Sequence, residues 1–266
     1  MLSIPRSDLK QILKVFVRRI GLLFVFVVAL YFDGTNFASI YPHAQLVTNT
    51  FMIIAFVILY YRSNKRTKEL MIYAVFIGLG GEYLFSRGLQ MYTYRLDNVP
   101  WYIAFGHAAL YARVYMFSKA PVVRKYWREV TRFLYVIISI FALIYLIAFG
   151  DVFGFVMTIC VFLMLIKRPK DRLFFLTMYV TVAVLEIGGT AYSTWVWPNT
   201  AFGIFDFLPS NNPPSGISLF YFLLDVGCFI IYILVNRKTW KRFRQIQIKS
   251  IVWLKKLKIQ DLVTVR

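Results

Sequence analysis

Glu82 and Glu186 are the side chains in this sequence best placed to do chemistry. Each sits in an otherwise apolar run, Glu69–Phe85 and Leu173–Tyr192. Each lies fourteen residues after the last basic residue before its run, Lys68 and Arg172. Each is followed by an aromatic pair with one residue between, Tyr92/Tyr94 and Trp195/Trp197. An ionisable group inside a bilayer is costly and is retained for pairing, transport or catalysis. Desolvation favours the neutral form of a carboxyl group, and a carboxylic acid facing an apolar chain can act as a general acid. One use is protonation of an alkene, giving a carbocation that Tyr and Trp faces stabilise. Capture by water would hydrate the substrate, and internal capture would cyclise it. Both reactions suit an isoprenoid lipid dissolved in the membrane. The rival use of the same carboxylates is to carry protons in a coupled transporter, or to serve a lipid-binding protein.

Two further polar residues repeat the pattern. His107 lies twelve residues before Lys119 and Asp225 twelve before Arg237, in each case the first basic residue after the run. At about 1.5 Å per residue, Glu82 and Glu186 fall roughly 20 Å from the basic boundary, and His107 and Asp225 roughly 18 Å. The four converge on one layer, as in a duplicated protein with a site between its halves. Glu82, Glu186, Asp225 and His107 form the candidate catalytic set. Tyr92, Tyr94, Trp195, Trp197, Tyr111, Tyr221 and Asn211 are the candidate substrate contacts. The competing reading is that the polar residues pair across helices only to fix packing. Gly80, Gly81, Gly188 and Gly189 flank the glutamates; they leave room for a ligand or let helices approach, and packing is the default for Gly78 and Gly189. The aromatics form an interfacial belt, or, with the Pro- and Asn-rich stretch up to Gly216, a lid over the site. Arg113 reads as a snorkelling side chain and His43 as a solvated loop residue.

Positioning these residues requires membrane-spanning helices. Of the 266 residues, 59% are hydrophobic and only 16% charged. Runs long enough for a hydrocarbon core of about 30 Å recur eight times, at roughly 15–32, 45–61, 69–86, 101–118, 133–149, 152–166, 173–193 and 217–236. The expected fold is an all-α polytopic bundle of about eight spans in two four-helix pseudo-repeats, 1–124 and 125–236. The fifth and sixth runs, joined by Gly150-Asp151, are either two spans or a re-entrant pair. The net charge of +19 is a topology signal rather than a nucleic-acid footprint. Basic residues crowd the N-terminus, alternate loops and the tail, whereas the remaining loops carry only Arg87 and Arg95. By the positive-inside rule both termini are cytoplasmic, which places the chain in a cell inner membrane as a multi-pass protein with its first span as a signal anchor. Residues 237–266 alternate Ile, Leu and Trp with Lys and Arg, a basic amphipathic tail suited to anionic lipid. Cys160 and Cys228 fall inside spans and imply no disulfide framework. With two His residues in the chain and no phosphate loop, nucleophile elbow or Cys-pair motif, neither a metal nor another cofactor is expected. Oligomeric state is not encoded in any visible motif.

A family resemblance adds to this reading. Glu82…Gly88…Tyr92-x-Tyr94…Val99-Pro100, followed by Trp195-x-Trp197…Gly203…Pro209-Ser210-Asn211…Gly216, resembles the outer-loop motifs of the membrane carotenoid biosynthesis family, which includes carotenoid hydratases. The chain lacks that family's Pro-Phe-Gly run before the tyrosines and its Asp-Pro pair before the tryptophans. The resemblance implies a carotenoid-type substrate, lyase or isomerase chemistry, acid/base roles for Glu82 and Glu186, and supporting roles for Asp225 and His107. Integral-membrane terpene cyclases, which rely on acidic residues in their helices, are a looser analogy.

Overall fold

A computed structural model describes residues 4–238; the expected amphipathic tail and its contact with anionic lipid therefore lie outside the described residues, apart from Arg237 and Lys238. Apolar segments become helices because a chain in lipid must satisfy its backbone hydrogen bonds internally. The first rod comprises α1 (Arg6–Ile20), α2 (Leu22–Asp33) and α3 (Thr35–Ile40), interrupted at Gly21 and Gly34. α4 (Ala44–Tyr61) returns, and α5 (Lys65–Glu82) starts behind Asn64, whose side chain accepts the Thr67 N–H at 2.9 Å. α5 then widens into a single π turn, Tyr83–Gly88. β1 (Thr93–Tyr94), α6 (Trp101–Ser118) and the short α7 (Pro121–Lys125) follow. α8 (Trp127–Phe149) stops at Gly150, whose φ of 68° is a left-handed turn that glycine adopts without strain. Then come α9 (Val152–Ile166), α10 (Arg172–Ala191), β2 (Trp195–Val196), β3 (Thr200–Ala201), β4 (Phe205–Pro209) and α11 (Ser218–Val235).

Helices occupy all eight apolar runs, and the chain is an all-α bundle in which six, counting the first rod as one, are long and apolar enough to cross a membrane. Two fall short for different reasons. α9 has only 15 residues. α6 is long enough but insufficiently apolar, because it is an interior helix: 13 of its 18 residues are buried, among them Tyr102, His107 and Tyr111. By contrast α8 turns Ile140, Ile144 and Ile147 outward, as a lipid-facing surface requires.

The centre is a ring of four helices in the order α5–α6–α10–α11, each packed on two neighbours. Exchanging α5 with α10 and α6 with α11 maps the ring onto itself. The packing of α4 on α6 and of α9 on α11 obeys the same exchange. The first rod does not: α2 crosses to α10, whereas α8 packs on α10 within its own half of the chain. At the basic end, Asp8 accepts from Lys125 Nζ (2.8 Å) and the Tyr126 hydroxyl (2.5 Å). That hydrogen bond to Asp8 holds the Lys125 ammonium above its ordinary pKa.

Two buried carboxylates tie the loops at the opposite, aromatic end. Asp33 closes α2 at 1% exposure. It accepts from Arg95 Nη2 (2.5 Å) and the Tyr102 hydroxyl (2.8 Å), while Arg95 Nε donates to its carbonyl (2.7 Å). Asn98 and Gln45 add a reciprocal amide pair, at 2.8 and 3.1 Å. The first rod thus carries a buried ion pair. Asp151, fully buried, accepts the backbone N–H groups of Gly154 (3.1 Å), Asn211 (3.1 Å) and Ser215 (2.7 Å), capping α9 and pinning the second loop together. Asp151→Ala strands three buried donors, each worth about 1–3 kcal/mol. The expected result is a loss of about 3 kcal/mol or more, read as a lowered melting temperature in detergent.

Candidate functional site

The site forms where the two loops meet. β1 and β2 pair antiparallel, with Thr93 opposite Val196 and Tyr94 opposite Trp195. Alternate strand residues point to opposite faces, so the one-residue spacing in both aromatic pairs puts all four rings on one face. Tyr92, Tyr94, Trp195 and Trp197 are buried while Thr93 and Val196 are exposed. The rings interlock, with Tyr92 and Trp197 centroids 4.4 Å apart and Tyr94 and Trp195 6.1 Å apart. They face into the bundle as a lid rather than outward as a belt.

Each aromatic pair is bound to the glutamate that precedes it. The Tyr92 and Tyr94 hydroxyls both donate to Glu82 Oε2, at 2.5 Å each. The Trp195 and Trp197 indoles donate to Glu186 Oε2 at 2.8 and 3.1 Å, and the Tyr221 hydroxyl donates to Glu186 Oε1 at 3.1 Å. Glu82 and Glu186 are only 5% and 3% exposed. An indole N–H cannot accept, so a proton on Glu186 can sit only on Oε1, toward Tyr221. On Glu82 both donors meet at Oε2, and among the described residues Oε1 has no hydrogen-bond partner.

Local structure explains this placement. Glu82 is the last α-helical residue before the π turn, and such widened turns often re-aim side chains at functional sites. Its carbonyl takes the Ser86 hydroxyl at 2.7 Å. The Trp195 ring lies directly on Gly189, where an added Cβ would come within 2.1–2.5 Å of three ring atoms. Gly189→Ala is therefore expected to cost about 1–3 kcal/mol by overpacking and to lift Trp195 off Glu186. Gly80→Ala meets nothing within 4 Å and should be neutral or slightly stabilising, as helix propensity favours alanine. Melting of both variants in detergent, read by tryptophan fluorescence, checks the contrast. Asn212, absent from the sequence-based candidates, accepts the Trp197 N–H at 3.0 Å and so fixes the ribbon.

Between the glutamates runs a narrow cleft bordered by Glu82, Phe85, Tyr92, Glu186, Trp197, Phe220 and Tyr221. Its free volume of about 10 Å³ lies at the lower bound for one water molecule. An open, outward-facing polar pocket is thus not observed; the aromatic lid fills it.

His107 and Asp225 do not border this cleft. They lie together on α6 and α11, with Nε2 and Oδ1 3.4 Å apart and both side chains almost wholly buried. That ion-pair separation is too loosely aligned for a hydrogen bond, and Asp225 has no other partner among the described residues. Tyr221 links the two layers, its ring centroid 5.4 Å from that of His107. Tyr111, an expected substrate contact, is fully enclosed between Phe174 and Phe229, away from the cleft. Asn211, another, binds Asp151 through its backbone and also lies outside the cleft lining. Among the described residues, no three His, Cys, Asp or Glu side chains gather closely enough to hold a metal ion. Compared with protein-family models, curated proteins and solved structures, the chain has no match.

Proposed function

We propose that this chain is an intramembrane acid catalyst that protonates a carbon–carbon double bond in an isoprenoid- or carotenoid-type lipid. Its two four-helix halves would cross a cell inner membrane eight times, with both termini in the cytoplasm. The observation that carries the reading is the pair of carboxyl groups facing one aromatic cleft, with Glu82 Oε1 free of any donor among the described residues. Glu82 Oε1–H gives its proton to the less substituted alkene carbon, and the cation forms on the more substituted one. The faces of Tyr92, Trp197 and Phe220 are suited to stabilise that cation. A water adds its oxygen to the cation and loses a proton to a carboxylate, so that H and OH are added overall and the acid is restored. Capture by a second double bond instead, with loss of a proton, gives a cyclised isomer. Neither route consumes a redox equivalent or requires a cofactor. The cleft must widen to admit the substrate, and the lid and the π turn are the elements whose displacement would open it. The ring symmetry of α5, α6, α10 and α11 supports the two-half reading.

One observation favours a second reading. Tyr221 donates to Glu186 and packs its ring against that of His107, which sits beside Asp225. Ionisable groups thus gather between the helices as a coupled transporter needs, although among the described residues no hydrogen bond joins Tyr221 to His107. Mass spectrometry of lipid extracts separates the two. The enzyme changes the mass or isomeric form of a lipid in detergent, whereas a transporter acts only in sealed vesicles with a proton gradient.

A further inference from the structure

A second cavity lies at the basic end, independent of the glutamate cleft and of any reading of it. α1 and α4 both pack against α6 but make no substantial contact with each other, leaving a wedge open at the bundle surface. Its volume is about 610 Å³, within the range of small-molecule sites. One end is ringed by Arg18, Arg19, Arg62 and Arg113, and the wall beyond is apolar, made by Leu22, Phe51, Ile54, Ala55, Ile58 and Leu59.

The charge distribution is the telling feature. Four guanidinium groups share one groove, and among the described residues none has a carboxylate within ion-pair distance. Arg113 is held in place by donating to the backbone carbonyls of Arg18 and Arg19, beside the break at Gly21 (Nε to Arg19 O, 2.7 Å). Arg19 donates to Met116 Sδ at 3.3 Å. Arg18 and Arg62 are exposed and, among the described residues, make no side-chain hydrogen bond. Like charges gathered this closely repel, so the cluster is suited to an anion held by bidentate guanidinium contacts. The apolar wall runs away from the charges along α4. From Arg62 to Phe51 is eleven residues, or about 16 Å at the helical rise, the reach of an acyl chain rather than of a soluble anion.

We infer that this groove binds an anionic phospholipid, its phosphate held among Arg18, Arg19, Arg62 and Arg113 and an acyl chain laid along α4. Such a lipid would fill the wedge between the first rod and α4 and join α1 to α4. Basic pockets between membrane helices suit anionic headgroups in general, and here the geometry names the residues.

The test uses the full chain, delipidated in neutral detergent and reloaded with phosphatidylglycerol, phosphatidylcholine or inorganic phosphate, with binding followed by native mass spectrometry. Phosphatidylglycerol should bind at least tenfold more tightly than phosphatidylcholine, and inorganic phosphate should not compete. R18Q/R62Q removes the two exposed charges and should weaken phosphatidylglycerol about thirtyfold, from about 1 kcal/mol per basic residue at the membrane surface. R18K/R62K keeps the charges but not the bidentate fork, and its affinity should fall between wild type and R18Q/R62Q. Equal binding of phosphatidylcholine, competition by inorganic phosphate, or wild-type affinity in R18Q/R62Q would each overturn the assignment. A melting temperature for R18Q/R62Q without lipid that matches wild type separates lost binding from lost fold.

Discussion

Lipid extracts of a carotenoid-producing bacterial host expressing this chain should contain a product heavier by one water, or an isomer of unchanged mass, that Glu82→Gln abolishes. Removing a positioned general acid lowers rates by about 10²–10⁴-fold, equivalent to about 3–5 kcal/mol of barrier. Glutamine is a fair isostere here. Its carbonyl can still accept from Tyr92 and Tyr94 while its amide replaces the unpartnered Oε1, so the lid should stay closed at matched abundance. Glu186→Gln should behave alike. Its carbonyl can keep both indoles and its amide can donate to Tyr221, but no proton can be taken up at that position. The expected outcome is a comparable fall in product with tryptophan fluorescence close to wild type. An unchanged extract in the wild-type strain would count against chemistry on the host's own isoprenoids. Gradient-driven uptake in vesicles, lost in both variants, would then favour the proton-coupled reading.

The largest stability effect is expected at Asp33 and Arg95. Arg95→Ala leaves the Asp33 carboxylate buried at 1% exposure with the Tyr102 hydroxyl as its remaining side-chain donor. Breaking a buried pair by removing one partner costs about 3–5 kcal/mol, whereas replacing both partners with well-packed apolar groups is often near neutral. Arg95→Ala and Asp33→Ala should each lower the melting temperature in detergent, and the double variant should be much less destabilised than their sum. Strict additivity would show that the pair does not act as a unit. Arg95 also donates its N–H to Thr194 O at 3.0 Å, extending the β1–β2 ladder. Loss of its anchor should therefore loosen the aromatic lid, visible as a shift in tryptophan emission.

Much of this protein is set by local pattern. The apolar runs determine the helices because lipid leaves the backbone no other partner. The aromatic-x-aromatic spacing already carries the strand period that turns four rings to one face, and the matched positions of Glu82 and Glu186 carry their common depth. Equal counts on descending helices give His107 and Asp225 equivalent positions, but their pairing with each other, outside the glutamate cleft, is tertiary. Other features depend on contacts between distant segments and leave no periodic trace. Asp33 and Arg95 are 62 residues apart, and Asp151 and Ser215 are 64 apart; each looks like an ordinary loop-end charge until the fold buries it. The π turn after Glu82, the enclosure of Tyr111 and the role of Asn212 are likewise tertiary. So is the closure of the cleft: residue types can specify an acid among aromatics, but only three-dimensional packing decides how much space is left beside it. The arginine wedge is the clearest case. In sequence Arg18, Arg19 and Arg62 read as boundary charges and Arg113 as a snorkelling side chain, and only the divergence of α1 from α4 over α6 brings the four to one groove.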